Sequence, residues 1–91
     1  MDIGYLWDEE KYELVQQKHK VRFSEVISAF EDPNGFEVMD TDPWEVRWIF
    51  VGKSYSNRLL QIVYSDEESP LLRLITAFEA GEDWRLEYEG R

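Results

Sequence analysis

The stretch Trp44–Tyr64, WEVRWIFVGKSYSNRLLQIVY, decides the fold of this chain. Bulky apolar residues stand at every second position from Trp44 to Phe50. This period of two predicts a β-strand, because successive side chains of a strand point to opposite faces of the sheet. The segment Gly52–Asn57 then predicts a turn, and the apolar run Arg58–Tyr64 predicts a second strand. Two strands joined by a short turn favour antiparallel pairing.

Further strands are predicted on both sides of this stretch. Leu71–Phe78 is an apolar run after the polar loop SDEESP, and it extends the hairpin to an antiparallel meander. Phe36–Met39 predicts a strand before the polar segment Asp40–Pro43, and Ile3–Trp7 predicts the first strand of the chain.

Three helices are predicted around these strands. The first follows Asp8, a suitable N-cap, and runs through KYELVQQKH. The second starts from Ser24 as N-cap, carries apolar residues at helical spacing from Phe23 to Phe30, and ends at the turn DPNG. The third covers Glu79–Glu89, with one face that is formed by Ala80, Trp84 and Tyr88.

The resulting order, β-α-α-β-β-β-β-α, predicts an α+β fold in which helices pack on a small antiparallel sheet. Because bulky residues occupy both faces of the strands, we expect more than one face of the sheet to be covered. A chain of 91 residues is long enough for one small domain and not for two, so residues 1–91 are expected to form a single domain. The hydrophobic content of 43% is too high for a disordered chain.

Composition also limits the functional classes. The chain has no cysteine and one histidine, and it has no Gly-rich phosphate loop, which argues against a zinc site and against a nucleotide cofactor. We therefore expect no metal and no cofactor. No apolar run is long enough to cross a membrane, and the acidic N-terminus does not resemble a signal peptide. A cytoplasmic protein without membrane contact is the expectation.

The formal net charge is −10, which argues against non-specific binding to nucleic acid. Basic residues are nevertheless concentrated in the segment Lys18–Arg22, which includes the single histidine, His19. Cations at the C-terminal end of a helix are stabilised by the helix dipole, by ~0.3–1 kcal/mol each. A helix end and a functional site both explain the cluster, and the two explanations are compatible.

A pattern of motifs over nearly the whole chain is more specific than any single motif. Its parts are Trp7-Asp8, Lys11, Lys18-His19-x-Val21-x-Phe23, Phe30-x-Asp32-Pro33, Arg47-Trp48, Gly52, Arg58-Leu59-Leu60, Arg73-Leu74-Ile75-Thr76-Ala77, Ala80 and Tyr88. In this order and spacing the chain resembles the BrnT family, the toxin half of a bacterial type II toxin–antitoxin pair. The combination of KHxVxF, FxDP and RLITA carries most of the resemblance.

The resemblance implies a RelE-like fold and metal-independent cleavage of RNA, in which a 2′-hydroxyl attacks the neighbouring phosphate. It also implies a partner, a BrnA-like antitoxin, which neutralises the toxin. Because that antitoxin is the DNA-binding component, contact with DNA is expected only through it.

The same resemblance, together with the chemistry of RNA cleavage, suggests the site residues. His19 is suited to proton transfer near neutral pH, and Lys18, Arg47 and Arg73 are suited to holding the phosphate. Trp48 is a candidate for stacking on a base, and Arg58 for binding RNA. Several of them have a structural alternative. These are a structural role for His19, an ion pair with Glu45 or a neighbouring strand for Arg47, a salt bridge on the strand face for Arg73, and packing for the tryptophans.

Several departures from the family pattern leave a second hypothesis open. Two of them, Phe78 and the acidic tail AFEAGEDWRLE in place of the family's basic tail, argue against RNA binding. Lys20 stands where the family has Gly, a residue suited to a left-handed helix cap. Phe78 stands where the family has Arg, so a cation that would stabilise the transition state is missing. The alternative to a ribonuclease toxin is therefore a catalytically degenerate protein of the same fold, which acts as a protein-binding module.

Overall fold

The computed structural model describes residues 4–7, 9–40, 44, 46–67 and 71–91. The order of elements is β1 (Gly4–Trp7), α1 (Glu9–His19), α2 (Phe23–Phe30), β2 (Phe36–Asp40), β3 (Arg47–Lys53), β4 (Leu59–Ser65), β5 (Leu71–Glu79) and α3 (Glu82–Glu89). The α+β class and the order β-α-α-β-β-β-β-α that the sequence predicts are confirmed.

The strands form one five-stranded sheet in the order β1-β5-β4-β3-β2. The strands from β2 to β5 are the predicted antiparallel meander, with pairs such as Val38–Ile49, Phe50–Ile62 and Ile62–Ala77. β1 joins the other edge of β5 in parallel, a pairing that the sequence did not predict. Local sequence patterns cannot predict this pairing, because β1 and β5 are separated by most of the chain.

Several predicted boundaries are wrong. The second helix begins at Phe23 with Arg22 as its N-cap residue, so Ser24 lies inside the helix and its hydroxyl faces the Tyr55 hydroxyl instead. Trp44 is not part of β3 and is 92% exposed, although its spacing is that of a strand. The last helix begins at Glu82, because β5 continues as far as Glu79, which pairs with Leu60.

Some predictions lie outside the described residues. These are the N-cap role of Asp8, the start of the first strand at Ile3, and the loop residues Thr41–Pro43 and Glu68–Pro70.

Helices cover both faces of the sheet, as the two apolar strand faces predict. The first face packs against α1 and α2 around the buried residues Val15, Val21, Val26, Ala29, Leu60, Ile62, Tyr64, Leu74 and Ala77. The second face packs against α3, whose Trp84 and Tyr88 lie on the buried residues Phe36, Val51, Leu59 and Ala80. None of the described helices combines the length and the apolar character that crossing a membrane requires.

Candidate functional site

The basic segment is located at the C-terminal end of α1. Lys18 and His19 form the last turn, where the helix dipole favours cations. Lys20 follows with a φ of 55°, and its N–H donates to the carbonyl oxygen of Gln16 at 3.0 Å. Lys20 therefore occupies the left-handed position for which the family's Gly is suited.

A pocket lies between this helix end and β5. β1 pairs only with Leu71–Leu74, so the second half of β5 is not covered by β1, and α1 contacts β5. The pocket measures about 310 Å³ and is lined by Leu14, Val15, Lys18, His19, Ile75 and Thr76. The motifs KHxVxF and RLITA, far apart in sequence, thus meet across one concave surface.

An irregularity in β5 contributes to the shape of this pocket. The register of β5 against β4 shifts between Val63 and Tyr64, whose partners are Thr76 and Leu74, so Ile75 has no partner in β4. Such bulges bend a strand and redirect its side chains. Ile75 is one of the residues that line the pocket.

Phe78 contacts the imidazole of His19 directly. The ring centroids are 5.3 Å apart and the planes are inclined by 41°. Where the family pattern has Arg, this chain therefore places an aromatic ring, and not a guanidinium, beside His19. A phenyl ring supplies no positive charge to a phosphate at this end of the pocket.

Arg73 lies on β5 between Leu6 and Ser65 of the neighbouring strands. The register shift at Ile75 interrupts the strand alternation, so Arg73 shares a sheet face with Thr76, about 10 Å further along the strand. This is the face that α3 covers, because the β4 partners of the two residues, Ser65 and Val63, alternate with Leu59. Arg73 is exposed, and it forms no ion pair within the part of the chain that the structure describes. A salt bridge on the strand face, the structural alternative for Arg73, is therefore not found there.

Arg47 is on the same face as Arg73, at the same end of the sheet. Continuing the register of β3 and β4 places Arg47 beside Ser65, so that its Cα lies about 10 Å, two strand spacings, from that of Arg73. The Arg47 guanidinium forms an ion pair of 2.8 Å with Asp40 on β2. This is the neighbouring-strand ion pair that the sequence left open, and it offsets the positive charge of Arg47.

Arg58, predicted to bind RNA, lies at the start of β4 with its guanidinium in hydrogen bonds to the protein. It donates to the carbonyl oxygens of Lys20 and His19 at 2.9 and 3.3 Å. The nitrogen that donates to Lys20 also pairs with the Glu25 carboxylate at 3.4 Å, and Nε pairs with Glu79 at 3.6 Å. The guanidinium thus joins the end of α1 to α2 and β5.

Trp48, the other predicted RNA contact, packs on the hydrophobic cluster beneath α1 and α2. It is partly buried, and its indole N–H is buried without a hydrogen-bond partner among the described residues. Packing is the structural alternative that the sequence left open for this residue.

Sequence reasoning missed Glu25, which is 6% exposed and lies in the first turn of α2. Its carboxylate accepts a hydrogen bond of 2.9 Å from the Ser56 hydroxyl and pairs with Arg58. The available signal was an acid directly beside the apolar stripe of α2, which is unusual unless the acid has a partner.

Asp32 of the FxDP motif has a structural task. Its carboxylate accepts hydrogen bonds from the Tyr88 hydroxyl at 2.6 Å and from the N–H groups of Lys53 and Asn34 at 2.8 and 2.9 Å. Burial opposes ionisation, but these hydrogen bonds outweigh it and the pKa of Asp32 is lowered. Burial, together with the hydrogen bond to Asp32, raises the pKa of Tyr88 to about 12.

A metal site is not found in the described part of the chain, where no three His, Asp or Glu side chains come together. The ionisable groups that line the pocket are the imidazole of His19 and the ammonium group of Lys18, and Arg73 lies on the sheet face that Thr76 shares.

These features define a small α+β domain with basic side chains at one edge of a helix-covered sheet. A solved structure of this class, the crystal structure of the Brucella abortus ribonuclease toxin BrnT at 1.1 Å resolution, superposes with a TM-score of 0.59. The match covers 89% of this chain and 100% of that chain at 17% identity, which establishes a shared fold. No curated protein sequence matches the chain.

The sequence establishes the family. Residues 7–83 match the model of the family described as "Ribonuclease toxin, BrnT, of type II toxin-antitoxin system". The chain belongs to the BrnT family.

Proposed function

We propose that this protein is a ribonuclease toxin that cleaves RNA without a metal ion. The observation that carries the proposal is the pocket in which Lys18 and His19 of one family motif meet Ile75 and Thr76 of another. Arg73 is exposed on the same sheet face as Thr76, and it is the cation nearest in sequence to Ile75 and Thr76. Family membership supports the same activity.

The proposed reaction is an internal transfer at phosphorus. The ribose 2′-oxygen bonds to the adjacent phosphorus while the bond to the 5′-oxygen breaks, which leaves a 2′,3′-cyclic phosphate and a 5′-hydroxyl. His19 accepts the proton of the 2′-hydroxyl, and a proton is delivered to the 5′-oxygen, for which Lys18 is the other proton-bearing group in the pocket. Arg73 balances the negative charge on the phosphoryl oxygens, and Arg47 contributes less because Asp40 neutralises it.

We further propose that a BrnA-like antitoxin neutralises the protein in the cytoplasm and provides any contact with DNA. The family's description as one half of a toxin–antitoxin system supports a protein partner. The net charge of −10 suits a partner with a basic surface. A RelE-like relationship, and RNA contacts by Arg58 and Trp48, stay predictions.

The test is cleavage of single-stranded and ribosome-bound RNA in the presence of a chelator. Wild type should produce 2′,3′-cyclic phosphate ends, and His19→Ala should be slower by roughly 10²–10⁴-fold, the usual contribution of a general acid or base. Gln17→Ala is the matched control, because Gln17 is exposed in the same helical turn and does not line the pocket. Intact RNA with wild type, together with harmless expression in cells, would contradict the proposal.

The contact between Phe78 and His19 favours a second candidate, a degenerate member of the family that binds a protein and no longer cleaves RNA. Phe78→Arg separates the two candidates, because it restores the cation that the family places here. If wild type cleaves RNA and Phe78→Arg cleaves it faster, the wild-type site is functional but lacks one cation. An inactive wild type with an active Phe78→Arg variant identifies the degenerate protein.

A further inference from the structure

Glu25 is a buried carboxylate whose Oε2 has three polar neighbours. The Ser56 hydroxyl donates to its Oε2 at 2.9 Å, the Ser54 hydroxyl is at 3.5 Å, and an Arg58 nitrogen is at 3.4 Å. A buried charge is strongly unfavourable unless it is paired and hydrogen-bonded. The Glu25 carboxylate and the groups that contact it therefore hold one another in place. The turn between β3 and β4, which carries both serines, is thereby attached to the first turn of α2.

The Arg58 guanidinium faces the end of α1. Its two terminal nitrogens donate to the carbonyl oxygens of Lys20 and His19 at 2.9 and 3.3 Å. Carbonyl groups at a helix C-terminus have no partner within the helix and carry the negative end of its dipole. A planar two-pronged cation satisfies two of them at once, which a lysine cannot do in the same geometry.

The C-terminal end of α1 contains residues whose positions determine the shape of the pocket and the backbone strain next to it. Lys20 is in the left-handed region, which is unfavourable for a residue with a side chain. Lys18 and His19 line the pocket, and the backbone carbonyl of His19 is itself one of the two groups bound by Arg58. Movement of this turn would displace the imidazole from Phe78 and from the pocket.

We propose that Arg58 and Glu25 are positioning residues, in which the buried Glu25 carboxylate orients the Arg58 guanidinium so that it fixes the end of α1 and holds Lys18 and His19 at the pocket. The consequence for RNA cleavage rests on the proposed function. The consequence for the placement of His19 does not, and it can be measured separately.

The first measurement is the NMR spectrum of the imidazole protons, which belong to a single residue because the chain has one histidine. The Phe78 ring, 5.3 Å from the imidazole, is expected to shift these signals in wild type, and Phe78→Leu gives their position without the ring. Arg58→Gln should move the signals toward those of Phe78→Leu, and Glu25→Gln should move them less far in the same direction. Arg22→Gln is the matched control, since it removes an exposed cation from the same segment and should leave the signals in place.

Arg58→Lys keeps the charge beside Glu25 and serves if Arg58→Gln does not fold. It should also move the histidine signals, because one ammonium cannot reproduce both hydrogen bonds. Unmoved histidine signals in every folded Arg58 variant would overturn the proposal.

The second measurement is steady-state RNA cleavage by the same variants. A displaced catalytic turn should lower kcat by up to about 100-fold and leave KM nearly unchanged. A raised KM with unmoved histidine signals would make Arg58 an RNA ligand and overturn the positioning role. If wild type does not cleave RNA, the proposed function fails, and the NMR measurement still decides whether Arg58 and Glu25 position His19.

Discussion

Lys20 and Phe78 are two single-residue departures from the family pattern with different physical effects. Lys20, at a φ of 55°, affects stability, because the left-handed conformation brings its Cβ close to the following carbonyl oxygen. Phe78 bears on the proposed chemistry, because it places a ring against His19 where the family pattern has a cation. A change of sequence at the site is therefore not by itself evidence of altered activity.

Lys20→Gly should stabilise the protein. Removal of the left-handed strain is expected to raise the free energy of unfolding by about 1 kcal/mol. The greater conformational entropy of Gly in the unfolded chain offsets part of this gain. For a domain of this size, 1 kcal/mol corresponds to a rise in Tm of about 4–8 °C, measurable by circular dichroism. Lys20→Ala removes the same charge but keeps a Cβ, and an equal gain there would assign the effect to charge.

The packing of α2 on β3 depends on the absence of a side chain at Gly52. A Cβ at Gly52 would lie 2.4 Å from the carbonyl oxygen of Ala29 in α2. That oxygen belongs to the backbone, so the clash cannot be relieved by a side-chain rotation. The close approach of the two elements brings α2, and with it Glu25, over the start of β4.

Gly52→Ala should therefore destabilise the protein by ~1–3 kcal/mol, the usual cost of overpacking. The measurement is the midpoint of urea unfolding. Gly81→Ala is the control, because no atom beyond its two chain neighbours lies within 4 Å of the added Cβ, and its cost should be clearly smaller. Equal losses in the two variants would rule out the helix–strand contact as the cause.

Asp32 connects distant parts of the whole molecule. It receives hydrogen bonds from Asn34 in the turn after α2, from Lys53 at the end of β3 and from Tyr88 near the C-terminal end of α3. Two members of the family pattern, Asp32 and Tyr88, thus join the helices on opposite faces of the sheet. Their hydrogen bond connects the turn after α2 to α3, and neither residue lines the pocket beside His19.

The stability of the whole fold should depend on pH through this contact. Because the pKa of Asp32 is lowered in the folded state, its contribution is present above the unfolded value of 3.8 and is lost as pH falls below it. The pKa of Tyr88 is raised to about 12, so its contribution is present below pH 10 and is lost as pH rises toward 12.

The measurement is the free energy of urea unfolding of wild type and Asp32→Asn between pH 2 and 7. The difference between the two proteins should be largest near neutral pH and shrink below about pH 4. A difference that stays constant over this range would show that ionised Asp32 does not stabilise the fold.

The site was only partly predictable from the sequence. The resemblance suggested Lys18 and His19, which stay predictions as site residues, and both line one pocket with residues of a second motif. The positions of Arg58 and Trp48 within the fold could not be inferred, because a strand residue's neighbours depend on which elements cover each face. Glu25 was missed since its partners, Ser56 and Arg58, are 31 and 33 residues away.

The sequence by itself determined the order of the elements, the meander and the apolar faces. These follow from local periodicity and turn residues, which act between near neighbours along the chain. Only the tertiary structure decided the parallel pairing of β1 with β5, the ion pair of Arg47 with Asp40 and the attachment of Arg58 to the end of α1. Each of these joins separate elements, so its energy depends on how the whole chain packs and not on any local pattern.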